Sequence, residues 1–575
     1  VVIERARRSR LAADVVAACL LLALPWLLYG RALDLWWSYD DFFQLRYTLE
    51  HAPSEYALEP EVWQLLPNRV LSPLLFVSYE LDLALFGLAP AAFYAHQLAA
   101  IGLAALALYL VLRLWLPPPW AGLGALVFLL GPPVASFAPL LMVRHYPEAI
   151  ALGLLSAWAF VLAARRRGGP AVALAVLSAL AYLAASLAKE IAVPLPAVLA
   201  LLPAARARRR LLLLAPHAAA GAGYVAYRTW MLETPLGGYG WTPGPAGWWG
   251  VAAALPGKLA LELAGPSAWG WAALAALLAV VLALAFRSRR AAALLGAGLL
   301  VAALPVLPVS IEMEPRYAAA TWLALAAAFA PAARSLCRRS PGRRAGAVLV
   351  VVALLSAIAG NRAAWGERLA EAERVSAENR GFLGLGPREV IRKPASPSAS
   401  MAQLRGFART LLHRPARGGW FHDDLFLCRR GAGSGPRAAI RALWAYEAEA
   451  GRLVEITSEL PVLRRSYCSG LRRHVALAAD LRSGPDGVLA WSLGPYEDGA
   501  WAFVLDDGLE RFDVPRRGGF RLGETDRLTL RVRYESPDGW VTYSQPLTIE
   551  LGAGTPVRWR RGVPAVAPTA SGGPG

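Results

Sequence analysis

Apolar runs of roughly bilayer length recur through the first 360 residues, and short arginine clusters separate them. The runs lie at 11–29, 93–112, 121–138, 149–163, 171–187, 191–205, 211–230, 271–286, 291–310, 318–333 and 345–360, eleven in all. A helix needs ~20 apolar residues to cross the hydrocarbon core, so the shorter runs must extend into their flanks. The arginine clusters are Arg5, Arg7, Arg8, Arg10; Arg165, Arg166, Arg167; Arg206, Arg208, Arg209, Arg210; Arg287, Arg289, Arg290; and Arg334, Arg338, Arg339, Arg343, Arg344. With the N-terminus in the cytoplasm and the runs alternating, every cluster falls inside, as the positive-inside rule requires. An odd count then puts everything after residue 360 outside. The apolar stretch 248–264 must not cross, or the later clusters change sides. It reads as a helix lying in the interface, anchored by Trp241, Trp248 and Trp249.

Composition agrees. Of the 575 residues, 56% are hydrophobic and 17% charged, whereas soluble domains run near a quarter charged. That much apolar side chain also excludes disorder for most of the chain. The formal net charge of +18 is accounted for by the cytoplasmic clusters and not by a nucleic-acid surface. The first run has a basic flank and no clear small-residue cleavage site after it, so it reads as a retained helix. The four cysteines, Cys19, Cys337, Cys428 and Cys468, have no metal-ligand spacing. With the tail outside, Cys428 and Cys468 can form a disulfide.

The loop at 30–90 is long, acidic and aromatic, which favours ordered helices lying at the interface. After residue 360 charges become frequent, so 361–380 reads as a helix leaving the membrane and 394–400 as a linker. A short helix is expected at 401–413 and strands from His474 onward. Residues 527–534 alternate polar and apolar, the pattern of a half-buried strand. Turn signals at 484–487, 506–508 and 537–539 suggest an antiparallel sandwich. The expected layout is therefore a transmembrane domain at 1–360, an exit helix and linker at 361–400, a mixed or β-sandwich domain at 401–562 and a disordered tail at 563–575. The expected fold class is a multi-pass α-helical membrane protein of about eleven transmembrane helices with an extracytoplasmic β-rich C-terminal domain.

Four polar clusters fall on the outer side of this topology. Asp40 and Asp41 follow the first helix, among aromatic residues. One can serve as a base for an acceptor hydroxyl; the alternative is a helix cap. Arg144, His145 and Glu148 precede the fourth run. Arg144 suits a phosphate, whereas Glu148 also suits a helix N-terminus. Lys189 and Glu190 sit between two apolar runs with almost no loop, where charge is costly and functional by default; the alternative is snorkelling to the surface. Glu314, Arg316 and Tyr317 open a later run, and a cation there suits an anionic lipid headgroup. In the tail, His422, Asp423 and Asp424 read as a turn before a strand at 425–428 and not as a metal site. The glycine-rich stretch 431–435 lacks phosphate-loop spacing.

At these residues the chain resembles the GT-C superfamily of polyprenyl-phosphate-dependent glycosyltransferases. It looks closest to the protein mannosyltransferase-like branch that often carries tetratricopeptide repeats. The likeness covers about residues 11–360. It rests on Ser38-Tyr39-Asp40-Asp41, on Asn68-Arg69-Val70-Leu71-Ser72-Pro73 leading to the run 81–88, on Ser186-Leu187-Ala188-Lys189-Glu190 with Pro194 and Pro196, and on Glu314-Pro315-Arg316-Tyr317. Val70 stands where the family usually has proline, Ala318, Ala319 and Ala320 replace an aromatic run, and no repeat array follows.

The resemblance implies an inner-membrane hexosyltransferase that takes a sugar from a polyprenyl-phosphate carrier and inverts it onto an extracytoplasmic protein, lipid or glycan. Asp40 or Asp41 would be the catalytic base. Arg144, Lys189, Arg316 and Tyr317 would face the donor phosphate, supported by Arg69, His145, Glu148, Glu190 and Glu314. No metal ligand is assigned, although a divalent Mg or Mn ion is compatible. Partners would be the lipid-linked donor and membrane lipid, with no nucleic acid. The rival readings are an O-antigen polymerase or ligase, which would lack the early aspartate pair, and a non-enzymatic anchor for a sugar-binding β domain.

Overall fold

The structure is a computed structural model that describes residues 2–64, 71–234, 245–309, 313–338, 343–393, 401–429, 440–484, 488–505, 508–521, 527–550 and 556–562. Arg69, Trp241, the linker 394–400, the glycine-rich stretch 431–435, the turn residues 485–487 and 506–507, and the tail 563–575 lie outside the described residues. The chain divides into two compact units, Val1–Ser376 and Ala377–Gly575.

The first unit is helical. It opens with α1 (Val2–Tyr29), a 3-10 turn at Gly30–Asp34, α2 (Asp41–Glu50), α3 (Pro53–Leu58), α4 (Pro60–Gln64) and α5 (Pro73–Phe86). Next come α6 (Pro90–Arg113), α7 (Pro118–Leu129), α8 (Pro132–Phe137), α9 (His145–Arg165), α10 (Gly169–Ala188), α11 (Leu195–Leu201), α12 (Ala207–Leu213) and α13 (Ala215–Leu232). The unit continues through α14 (Pro245–Ala264), α15 (Ala268–Arg287), α16 (Arg289–Ala303), α17 (Ala319–Arg338) and α18 (Arg343–Phe382). Eight helical segments among the described residues are long and apolar enough to cross a membrane. With the strand-rich second unit, this makes the chain a multi-pass α-helical membrane protein carrying a β-rich C-terminal domain.

Three of the eleven expected runs take a different form. The run 121–138 is cut into α7 and α8, because Gly131, Pro132 and Pro133 interrupt it. The carbonyls of Val127 and Phe128 that this break exposes accept hydrogen bonds from the Trp322 indole at 3.2 and 3.1 Å. The run 191–205 yields only a short apolar helix, Glu190–Leu201, with Pro194 and Pro196 in its first turns. The run 211–230 divides between α12 and α13. The expected loop helices are present as α2–α5, held by Tyr47, Tyr56, Trp63 and Phe76 packed against Met231 and Leu232 of α13. The expected interface helix is α14; Trp249 is exposed while Leu255, Leu259 and Leu263 are buried.

Between membrane helices lipid supplies no hydrophobic drive, so small side chains and polar pairs do the work. Gly102 of α6 packs on the Leu22 backbone of α1. Ser156 of α9 and Ser178 of α10 share a 3.1 Å hydrogen bond, and the His217 ring of α13 joins them at 2.8 Å. Such bonds contribute about 0.6 kcal/mol each.

Among the described residues the second unit holds three sheets. Strands β1 (Glu389–Arg392), β2 (Gly419–Phe421), β3 (Ala442–Glu447) and β4 (Arg452–Glu455) form a mixed sheet in the order β2-β1-β3-β4. Here β1 runs parallel to both β2 and β3. Helices α19 (Met401–Thr410), α20 (Leu425–Arg429) and α21 (Leu460–Gly470) belong to this part. The strand expected at 425–428 is helix α20 instead. Asp423 Oδ1 accepts from the Leu425 amide at 2.9 Å and so caps it. Cys428 and Cys468 form a disulfide between α20 and α21.

The sandwich follows, with β5 (Leu477–Ser483), β6 (Val488–Gly494), β7 (Ala500–Leu505), β8 (Glu510–Val514), β9 (Arg517–Arg521), β10 (Arg527–Glu535), β11 (Val541–Tyr543), β12 (Leu547–Glu550) and β13 (Val557–Arg561). One sheet is ordered β11-β10-β7-β8 with β12 also on β10, the other β13-β5-β6-β9. Inward residues of both, among them Leu481, Leu493, Phe503, Val532 and Ile549, share one core. The alternation read at 527–534 is β10, which pairs antiparallel with β7, β11 and β12.

Candidate functional site

The site grows from the turn that joins α1 to α2. Tyr39 adopts φ +48°, a left-handed conformation that costs a side-chain-bearing residue about 1–2 kcal/mol. The two residues after it diverge. Asp41 is fully buried; its Oδ2 accepts from the Ser38 amide at 2.9 Å and its Oδ1 from the Tyr79 hydroxyl at 3.2 Å. Burial raises its pKa to about 7, and the hydrogen bonds from Ser38 and Tyr79 oppose that rise. Asp40 occupies the N-cap position of α2 without a side-chain capping bond and stays open to solvent. The protein mass around it nonetheless raises its pKa, with the Arg316 charge acting the other way.

The remaining cluster residues meet near Asp40. Arg316 lies in the 3-10 turn Pro315–Ala318 that opens α17. Its guanidinium pairs with Glu314 at 2.8 Å and donates to the Tyr317 hydroxyl at 3.4 Å. The Tyr317 ring is 6.5 Å from the Tyr146 ring. The Lys189 ammonium sits 5.4 Å from that same Tyr146 ring and pairs with Glu190 at 3.2 Å. The charges of both Lys189 and Arg316 reach the buried His145 ring. Four stretches separated by up to 276 residues, 40 to 316, thus come together.

Arg144 departs from the sequence expectation. It is fully buried, and its guanidinium donates to Asp82 at 2.5 Å, to Ser78 at 3.2 Å and to the Phe93 carbonyl at 2.9 Å. The rings of Tyr79 and Phe93 flank it. It ties α5, α6 and the start of α9 together and leaves no fork for an outside phosphate. Glu148 belongs with it, accepting from Ser78 at 2.7 Å. His96 donates or accepts at Asp82 Oδ1, 2.8 Å away. Arg69 lies outside the described residues.

Sequence reasoning missed several members. Tyr79 holds Asp41, and Tyr146 bridges Lys189 and Tyr317, yet an aromatic residue among many carries no distinguishing signal. Arg228 is buried near the end of α13 and binds Glu190 at 2.9 Å; an arginine closing an apolar run was the available clue. Asp82 had a signal too, as one of two acids, with Glu80, in an otherwise apolar helix.

Directly beside these charges lies an apolar cavity of about 210 Å³. Ala149 and Ile150 of α9, Ile191 and Ala192 after Lys189, and Ala320 and Leu323 of α17 line it, with residues of α6, α11 and α16. Its lining begins within a turn of His145, Lys189 and Tyr317. Among the described residues no group of three or more His, Cys, Asp or Glu is set to hold a metal ion. In the second unit Asp423 is a structural hub, accepting from Tyr543 at 2.6 Å and pairing with Arg533 at 3.0 Å.

No protein-family model matches the chain, and no curated protein matches it. Among solved structures it is similar to ArnT from Cupriavidus metallidurans bound to undecaprenyl phosphate, with 14% identity and a TM-score of 0.39 over 70% of this chain and 89% of that one. The apo state of ArnT gives 15% and 0.41 over 74% and 92%. The archaeal oligosaccharyltransferase AglB from Archaeoglobus fulgidus, in complex with an inhibitory peptide and a dolichol-phosphate, gives 12% and 0.39 over 89% and 76%. These likenesses transfer neither residues nor an activity to this chain.

Proposed function

We propose that this chain is an integral membrane glycosyltransferase of GT-C type, moving a hexose from a polyprenyl-phosphate carrier to an extracytoplasmic acceptor with inversion. The observation that supports the reading is an exposed carboxylate, Asp40, within reach of the Arg316 charge, with Lys189 and Tyr317 sharing the Tyr146 ring and an apolar cavity lined from the residues just after Lys189 and Tyr317. A phosphate carrying an isoprenoid tail and a sugar needs that combination. The cavity accepts the tail, the cations hold the phosphate, and the sugar is left facing the carboxylate.

In the reaction the acceptor hydroxyl attacks C1 of the sugar from the side opposite the phosphate. Asp40 takes the hydroxyl proton as the new C–O bond forms. The C1–O bond to phosphate breaks, and the polyprenyl phosphate departs with its charge stabilised by Arg316 and Lys189. Glu314 and Glu190 orient those cations, with Tyr317, Tyr146 and His145 closing the pocket. Asp41 holds the turn from inside. Arg144 and Glu148 support the fold of the site and do not touch the donor. The arginine clusters favour a cytoplasmic N-terminus in the inner membrane, with the C-terminal domain outside.

The test is a transfer assay in nanodiscs with radiolabelled polyprenyl-phosphate hexoses and an envelope extract as acceptor source. Label passing to acceptor from at least one carrier, and ceasing in Asp40→Asn, is the expected result. A wild type that transfers from no carrier overturns the reading.

A further inference from the structure

We propose that Tyr39 is a positioning residue, clamped in its left-handed turn by Glu371 of α18, and that this clamp turns Asp40 outward while Asp41 is held inside. The inference rests on the reading of Asp40 given above. A tyrosine with φ +48° persists only where its surroundings over-determine it. Here one helix supplies those surroundings. The Tyr39 hydroxyl donates to Glu371 Oε1 at 3.4 Å. Arg374 grips both oxygens of Glu371, at 2.7 and 3.2 Å. The flanking segment is tied to the same helix: Ser376 Oγ accepts from the Trp36 amide at 2.6 Å, and Trp365 packs edge-on against Tyr29 at 5.1 Å.

The geometry gives the clamp its consequence. Adjacent residues of an ordinary helix start lie about 100° apart around the axis, so two neighbouring carboxylates do not by themselves divide between surface and core. The reversal at Tyr39 sets the entry into α2, and the Ser38 amide then binds Asp41. Asp40 is left exposed at the cap position, within reach of the Arg316 charge. Neither Tyr39 nor Glu371 needs to touch substrate to act this way.

The experiment is steady-state transfer by the full chain in nanodiscs, with kcat and donor KM measured separately. Tyr39→Phe and Glu371→Ala should each lower kcat about tenfold, as a small misplacement of a reacting group does, with KM within twofold. The double variant should be no slower than the slower single. Glu371→Gln, which still accepts through its amide oxygen, should recover most of the lost kcat. Arg31→Ala, which removes the exposed 2.6 Å pair with Glu373 on the same helix, should match wild type. If wild type transfers sugar while Tyr39→Phe and Glu371→Ala keep its kcat, or if their losses multiply in the double variant, the clamp is overturned and the transferase reading stands. A wild type inactive with every carrier removes the reading, and the clamp with it.

Discussion

Arg316 and Arg144 belong to neighbouring clusters built from similar side chains, and the two clusters use charge in opposite ways. Around Arg144 the charge is answered from within: Asp82, Ser78 and the Phe93 carbonyl take protons of its two terminal nitrogens, Glu148 and His96 extend the set, and Nε is buried without a hydrogen-bond partner. Around Arg316 the carboxylate partner Glu314 is half exposed, Asp40 is open, and an apolar cavity adjoins. Closed networks of this kind fix helix packing, because removing one partner strands another buried charge. Open clusters bind ligands, because their charges can still be answered from outside. The aspartate pair repeats the contrast one residue apart, with Asp41 inside and Asp40 facing out.

Five substitutions break or sharpen that contrast. The largest effect is expected for Asp40→Asn. Loss of a general base lowers kcat by about 10²–10⁴-fold, with donor affinity near wild type, as read by single-turnover transfer and carrier binding. Next come the two arginines compared directly. Arg144→Ala should destabilise the helical unit by about 3–5 kcal/mol, since Asp82 is left buried and unpaired. Arg316→Ala should leave the melting temperature nearly unchanged while transfer falls about 10²-fold, the scale of one lost stabiliser of developing charge. Equal melting behaviour in the two variants would contradict the distinction.

Ala320→Trp, which fills part of the cavity, should raise donor KM about tenfold, the scale of a modest change in a hydrophobic pocket. A water-soluble sugar phosphate lacking the tail should show no such change.

The smallest effect concerns Asp41 and pH. Its folded pKa of about 7 lies above the ordinary aspartate value of 3.8, so the native state holds this proton more tightly than the unfolded chain. Stability from this group is full below about pH 4 and is lost as pH rises toward 7. Asp41→Asn, which cannot ionise and whose amide oxygen can still accept from the Ser38 amide while its NH2 donates to the Tyr79 hydroxyl oxygen, should therefore melt higher than wild type at pH 8. Near pH 4.5 the two should converge. Thermal melts in detergent at both values decide it.

Much of this was legible in the amino-acid order. Arginine clusters and apolar runs marked the membrane helices, and the alternation at 527–534 marked β10, because period and charge are local properties. The breaks at 131–133 and 194–196 were also local, written in proline and glycine, although the apolar content around them masks the interruption. The parallel strands β1 and β2 were not legible. They span four and three residues, too few for a period, and each is completed by a partner distant in sequence. The site divides the same way. Asp40, Lys189 and Arg316 stood out as charge where charge is costly. The burial of Arg144 did not, because its partner Asp82 lies 62 residues away and only folding joins them.

The most direct test of the division between open and closed carboxylates is single-turnover transfer from a radiolabelled polyprenyl-phosphate hexose with Asp40→Asn and Asp41→Asn measured side by side. The expected result is transfer abolished by the first change with carrier still bound, and at least a tenth of wild-type turnover kept by the second. Robust transfer by Asp40→Asn, or its loss only in Asp41→Asn, would contradict the assignment of Asp40 as the base.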